Sequence, residues 1–457
     1  MSVTDLDLGA ELGATFSGRL IDRRSAEYDE ARRVHNGLVD RRPLLVAQCF
    51  GASDVIDVLG LARRAGLEVA IRGGGHSVAG LSTVDDGVVV DLSPMKGVHV
   101  DPSRATVRAQ PGVTWRQLNR ETALHGLAVT GGTISTTGIA GLTLGGGFGW
   151  LMGAFGLAAD NLRSAEVVTA GGELLVASPD EHPDLFWALR GGGGNFGVVT
   201  SFEYALHPVD QVVGGLVAHP FEAARDVLRF CRELAAGAPD ELGLVAALVH
   251  APDGSGAPLA AIAVCHCGDR DAAERDLEPL LAFGSPALTQ VGPMPYPAVN
   301  TMLDDSYPPR ALNYWKSSFL SDLRDDAIEL LVEGFAAAPS PMTLVAIEHH
   351  HGAATRVGVS ETAVPHRKAG FNVLLTSVWS DPATTDANVE WTRGLFAALT
   401  PHLAGRRYVN YLDADDDGES VARAAYGENY ERLAEVKRRY DPENVFRRNL
   451  NVPPAGS

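Results

Sequence analysis

Three consecutive glycines run into a histidine at Arg72-Gly73-Gly74-Gly75-His76-Ser77. Without side chains, such a loop can lay its backbone N–H groups against a ligand in conformations other residues resist. The histidine at its end suits a base, a metal ligand or a covalent attachment point. A second glycine-dense tract runs from Gly131 to Gly149. It holds Gly132, Thr133, Thr137, Gly138, Gly141, Gly145, Gly146 and Gly149. Clustered amides of this kind suit a pyrophosphate. The run Gly145–Gly149 does not follow a clear strand and open a helix with a later acid. The dinucleotide fingerprint of doubly wound sheets is therefore not met.

Two other clusters imitate metal sites. Cys265-His266-Cys267 ends the apolar run 260–264, and alternation along a strand sends both thiols to one face without further ligands, so core packing is expected. In His349-His350-His351, neighbours on a strand point to opposite faces and cannot converge on one ion. No metal is expected. His350 shares a strand face with Glu348, which places both in a pocket lining.

The elements around these residues follow from periodicity. Residues 44–50 read as a strand, Leu67–Ile71 as another, and Ser53 as the cap of a helix reaching Arg64. Short strands recur near 87–91, 97–100 and 105–109. Thr114 is placed to cap a helix from Trp115 to His125. Residues 165–177 read as a hairpin across Gly171-Gly172, 184–190 as a short helix and 197–206 as a long strand. Beyond residue 209, helical patterns (223–236, 324–338) alternate with apolar strands (242–249, 258–267, 343–348, 371–379). That texture predicts a second unit, an antiparallel sheet covered by helices.

The chain has 457 residues, with a net charge of −19 and 45% hydrophobic residues. That size suggests two or three domains. A strongly negative field repels phosphates and argues against nucleic acid as a partner. No apolar run is long enough to span a bilayer, and Met1–Asp7 is acidic with no apolar core behind it. A cytoplasmic protein without membrane attachment is expected. The oligomeric state is not legible.

Three segments together carry a family likeness: Arg72–Gly80, Gly141–Gly149 and Tyr440-Asp441-Pro442-Glu443-Asn444-Val445-Phe446. Gly156–Asn161, Asp184–Gly191 and Pro365-His366-Arg367 add to it. From about Tyr28 to its end the chain resembles bacterial flavin-linked oxidases of the berberine bridge enzyme type. That group lies within the vanillyl-alcohol oxidase superfamily and also holds hydroxynicotine, sugar and antibiotic-tailoring oxidases. The resemblance implies an α+β fold. A two-part FAD-binding domain of the PCMH type, residues 1–208 and 415–457, would flank a substrate domain at 209–414.

The resemblance also implies the chemistry. FAD would be joined covalently to His76 through its 8α-methyl group. Residues 72–77 would wrap its pyrophosphate, the second tract would lie along the ring and ribityl chain, and Asn449 and Asn451 would bond near the isoalloxazine. Many relatives add a second link through a cysteine. Ile134 stands there in this chain, so a single link is expected, and a bulky sugar substrate is disfavoured. Thr137 falls where relatives control oxygen access. The segment Tyr408–Asp413 resembles the one that crosses the substrate face, which makes Tyr408 and Tyr411 candidate bases. A phenol with a pKa of about 10 needs a cationic or hydrogen-bonding neighbour for that role, and Arg406 or Arg407 is near in sequence. Glu348, Asn372 and Leu374 would floor the pocket.

The expected activity is oxidation of a small alcohol or amine, of the kind found among secondary metabolites, with dioxygen as the final acceptor and hydrogen peroxide as product. A flavin-bearing cyclase or isomerase, or a binding protein without turnover, would use the same scaffold.

Overall fold

Apolar alternation in the middle of the chain builds a seven-stranded antiparallel sheet in the order Leu288–Pro295, Gln211–Pro220, Pro258–His266, Leu242–His250, Leu344–His350, Gly370–Trp379, Leu312–Leu320. The computed structural model describes residues 11–12, 16–251 and 253–456. The acidic start of the chain, residues 1–10, lies outside them. On the central strands one register faces helices. Leu244, Ala246, Leu248, Val345, Ile347, Val373 and Leu375 pack with residues of Ala224–Ala236, Asp325–Ala336 and Thr385–Leu399. Each fully buried Val, Ile or Leu contributes about 1.5–3 kcal/mol here. The other register, Val245, Ala247, Leu344, Ala346, Glu348 and Leu374, faces a cavity. Period two thus decides which residues meet a ligand.

Two smaller sheets stand opposite. One has the order Arg19–Asp22, Leu45–Gln48, Val88–Asp91, Val69–Arg72. Its last three strands are parallel. The helix Ala52–Ala65 provides a crossover. The other sheet is antiparallel, in the order Val98–Asp101, Thr106–Ala109, Val198–Ala205, Leu162–Val168, Leu174–Ala177. The C-terminal helix Tyr430–Tyr440 returns to this second layer. Leu433, Val436 and Leu450 pack with Trp115, Phe186 and Phe202.

Thr114 caps the helix Trp115–Ala123 in a full capping box with Gln117. Ser53 does not cap its helix, which begins at Ala52 after Gly51. Asp54 takes the nearby orphan amides instead, accepting from Ser17 N at 2.8 Å and Phe50 N at 2.8 Å. Periodicity does not announce the strands Arg19–Asp22, Gln211–Pro220, Leu288–Pro295 and Leu312–Leu320.

The glycine tracts meet backbone to backbone. A Cβ on Gly138 would stand 2.6 Å from Gly74 N and 2.7 Å from its Cα. Neither side can yield, because Gly138 is also bridged to Thr114. Gly138→Ala is therefore expected to destabilise by about 1–3 kcal/mol. Gly394→Ala, with open space around its Cβ in the helix Thr385–Leu399, should instead stabilise by about 0.5–1 kcal/mol. Thermal melting of the two variants checks both signs.

Candidate active site

One cavity of about 700 Å³ runs between the glycine tracts and one face of the large sheet. Gly73, Gly74, Gly75, His76, Ser77, Gly132, Thr133, Thr137, Gly138 and Gly141 line its first wall. Glu348, Leu374 and Tyr411 line the second. Asn449 and Asn451 stand at the C-terminal side.

The first wall is held from behind. Arg72 ends the strand Val69–Arg72 and does not enter the cavity. Its guanidinium makes a buried two-point pair with Asp91, at 3.2 and 2.8 Å. Burial pushes the Asp91 carboxyl up, but Arg72 and the Ser93 amide outweigh that and hold it below the usual range. The pair locks the strand end to its parallel neighbour and so aims the loop that follows.

His76 reaches the cavity at the end of that loop. Its Nε2 lies 3.1 Å from Thr136 Oγ1. Its ring stacks on His35 with centroids 3.8 Å apart. Burial, and then His35, lower its pKa to about 3, so the imidazole is neutral. Loop 132–137 is fixed in turn from the substrate side. Asp304 accepts from Ser135 N at 2.8 Å and Ser135 Oγ at 2.6 Å, and pairs with Arg116 at 2.6 Å.

Part of the second glycine tract serves the protein rather than the cavity. Gly145, Gly146 and Gly149 do not line it. A Cβ on Gly145 would meet Asn410 Oδ1 at 2.1 Å, and one on Gly149 the Gly131 carbonyl at 1.6 Å. Gly146 packs beneath Val364, with φ at +113°. These glycines allow close approach of backbone elements, which spacing alone does not separate from ligand binding.

Tyr408 also departs from expectation. It is buried, stacked on Phe148 at 4.0 Å, and its oxygen accepts from Gly147 N and Phe148 N, both at 3.0 Å. It anchors the tract 145–149 and faces away from the cavity. Tyr411 does face it. Its hydroxyl donates to Glu348 Oε1 at 2.9 Å, and Asn372 Nδ2 donates to Oε2 at 2.8 Å. Asn372 thus supports Glu348 from the neighbouring strand rather than flooring the cavity itself. Burial, with Glu348 alongside, pushes the Tyr411 phenol well up, the opposite of what a base needs. Arg407 is engaged by Asp416 and the Ser317 carbonyl, not by a phenol. Burial raises Glu348 to about 7 against the two hydrogen bonds. Near neutrality the Glu348 carboxyl, unlike the Tyr411 phenol, lies close to its pKa.

His350 stays out of the cavity. It packs on Phe148 and its Nε2 bonds the His366 carbonyl at 3.0 Å. His349 and His351 stack on each other at 4.1 Å on the opposite face. Cys265 is buried and Cys267 half-buried, while His266 pairs with Asp276 at 3.0 Å. Among the described residues no group of three or more His, Cys, Asp or Glu side chains could hold a metal ion, and no helix is long and apolar enough to cross a membrane.

Tyr307 and Trp315, which face each other edge-on at 5.5 Å, complete the second wall. Sequence periodicity misses them because the strand Leu312–Leu320 also buries Asn313, Lys316, Ser317 and Ser318. The aromatics at Tyr314, Trp315 and Phe319 are the available signal.

The cavity fits FAD on its own chemistry. A side-chain-free cradle at Gly73–Gly75 and Gly138 offers main-chain amides. The buried Oδ1 atoms of Asn449 and Asn451 have no protein partner, as expected of groups waiting on a ligand's polar edge. Comparison with known proteins agrees. Residues 43–178 match the family model described as FAD binding domain, and residues 407–453 that described as berberine and berberine like. The chain is 32% identical to (R)-6-hydroxynicotine oxidase of Paenarthrobacter nicotinovorans, over 97% of this chain and 98% of that one. It is likewise 32% identical to the FAD-linked oxidoreductase YgaK of Bacillus subtilis, over 96% and 97%. The crystal structure of 6-hydroxy-D-nicotine oxidase from Arthrobacter nicotinovorans superposes with a TM-score of 0.87 at 31% identity, covering 96% of this chain and 98% of that one. The xylooligosaccharide oxidase of Myceliophthora thermophila, solved with xylobiose, gives 0.87 at 25% identity, covering 99% and 100%. The chain belongs to the berberine bridge enzyme-like family and is an FAD-linked oxidoreductase.

Proposed function

We propose that this protein oxidises an alcohol or amine carbon of a small molecule, with Glu348 as the proton acceptor and His76 as the single covalent tether of its flavin. Bound FAD supplies a two-electron acceptor for the substrate's hydride and a carrier that passes both electrons to dioxygen, giving hydrogen peroxide. The chain's own residues do the rest. His76, whose Nε2 lies 3.1 Å from Thr136 Oγ1, would carry the cofactor through its ring. Ile134, at the place where relatives carry a second tether, has no nucleophile. Gly73–Ser77 and Gly138 supply main-chain donors for the pyrophosphate, and Asn449 and Asn451 the polar contacts at the ring.

Glu348 takes the O–H or N–H proton while the adjoining carbon gives up hydride. Tyr411 and Asn372 hold its two oxygens and stabilise the ionised form. The observation that carries this reading is a buried carboxylate with a pKa of about 7, on the sheet that faces the glycine cradle. Anaerobic addition of a substrate should bleach the yellow protein, and air should restore the colour with one peroxide per turnover. Product formation with neither bleaching nor peroxide would point to a cyclase or isomerase instead.

A further inference from the structure

We infer that the substrate is an apolar, ring-bearing molecule with a single O–H or N–H donor at its reacting carbon, not a polyhydroxylated one. This rests on the oxidase reading above and adds the substrate's chemical class.

Strand registry lays out the cavity's second wall as successive rows. The first row pairs Val245 with Glu348 and Glu348 with Asn372. The next pairs Ala247 with Ala346 and Ala346 with Leu374. At the far end Leu344 pairs with Thr376, and Thr376 with Trp315. Among the described residues of these rows Glu348 is the one ionisable side chain. Polar function is thus concentrated at one end, and the two alanines open a shallow apolar trough beside it.

Most of the remaining polar atoms along the trough are engaged; Asn372 Oδ1 and Ser317 Oγ, in the first two rows, are buried without a partner. Trp315 Nε1 donates to Asn313 Oδ1 at 3.2 Å. Thr376 Oγ1 donates to the Leu344 carbonyl at 3.0 Å. Asp413, which also borders the cavity, accepts from the amides of Trp315 at 2.7 Å and Ala414 at 2.6 Å. Trp315 therefore offers its face and edge, not a donor. Val78, Leu344, Ala346, Leu374, Tyr307 and Trp315 form one continuous apolar cluster. A ring laid on it leaves only its reacting group at Glu348 and Tyr411. A disaccharide laid on it would bury several hydroxyls without partners, each costing about tenfold in affinity.

The test uses the flavin-loaded protein and reads binding from the shift of its visible absorption. The probes are 1-phenylethanol and 1-phenylethylamine, one polar group each, against xylobiose and cellobiose. At least one aromatic probe is expected to bind about a hundredfold more tightly than either disaccharide; which of the two wins distinguishes an alcohol from an amine. Ala346→Leu, which fills the trough, should weaken that probe about tenfold or more while leaving the yellow colour intact. Disaccharides that bleach the flavin while aromatic probes leave its spectrum unmoved would overturn the inference and leave the oxidase reading standing. Aromatic probes that shift the spectrum but never reduce the flavin would support the apolar site and count against probe oxidation. No shift with either aromatic probe would overturn the inference outright.

Discussion

His76→Ala is expected to release all of the yellow colour into the supernatant on acid precipitation, where the unaltered protein keeps it in the pellet. The expectation rests on the proposed tether and on how the ring is held. Thr136 holds Nε2, His35 covers one face, and burial keeps the imidazole neutral far below physiological pH. A neutral imidazole carries one nitrogen lone pair and so can form one such bond. The glycine cradle does not depend on the side chain, so the variant should still bind FAD, reversibly, and lose it on gel filtration in denaturant. Cys49→Ala is the control. That thiol is buried in the core of the parallel layer and pushed well up by burial, so it cannot tether anything. Colour that stays in the His76→Ala pellet would place the link elsewhere.

The contrast between His76 and Tyr408 shows what the sequence could carry. The run ending in His76 is local: three glycines and a strand signal suffice to put that ring at the end of a bare loop. The same holds for the capping box at Thr114 and for the alternating strands of the large sheet. Tyr408 and Tyr411 sit in one short segment, and their roles diverge only because the first turns its oxygen to the amides of residues 147 and 148 and the second to Glu348. Those partners lie 261, 260 and 63 positions away along the chain. Nothing local encodes the difference. The division of the second glycine tract has the same origin. Gly138 and Gly145 read alike, but Gly138 borders the cavity and Gly145 meets Asn410. Glu348 was legible as a pocket residue from strand alternation. Its proposed role as a base was not, because its raised pKa comes from burial in the assembled fold.

Glu348→Gln is expected to lower kcat by about 10²–10⁴-fold with little change in KM. Glutamine keeps the shape and can still meet Tyr411 and Asn372, but it cannot take a proton. With the unaltered protein, kcat/KM should rise with pH and level off above about 7, the pKa of Glu348, and the variant should lose that limb. Tyr411→Phe separates the two candidate bases. The Tyr411 hydrogen bond lowers the Glu348 pKa, so its removal should move the limb to higher pH and leave the plateau standing. A phenol acting as the base would instead take the activity with it at every pH. Stability follows the same proton. The unfolded chain releases it near 4.5 and the folded protein holds it to about 7. Between those values the folded state binds more protons, so stability falls as pH rises, by at most about 3 kcal/mol. Denaturant titrations at the two ends of that window should show a smaller decline in Glu348→Gln than in the unaltered protein; the remainder comes from Asp413, which burial likewise raises to about 7.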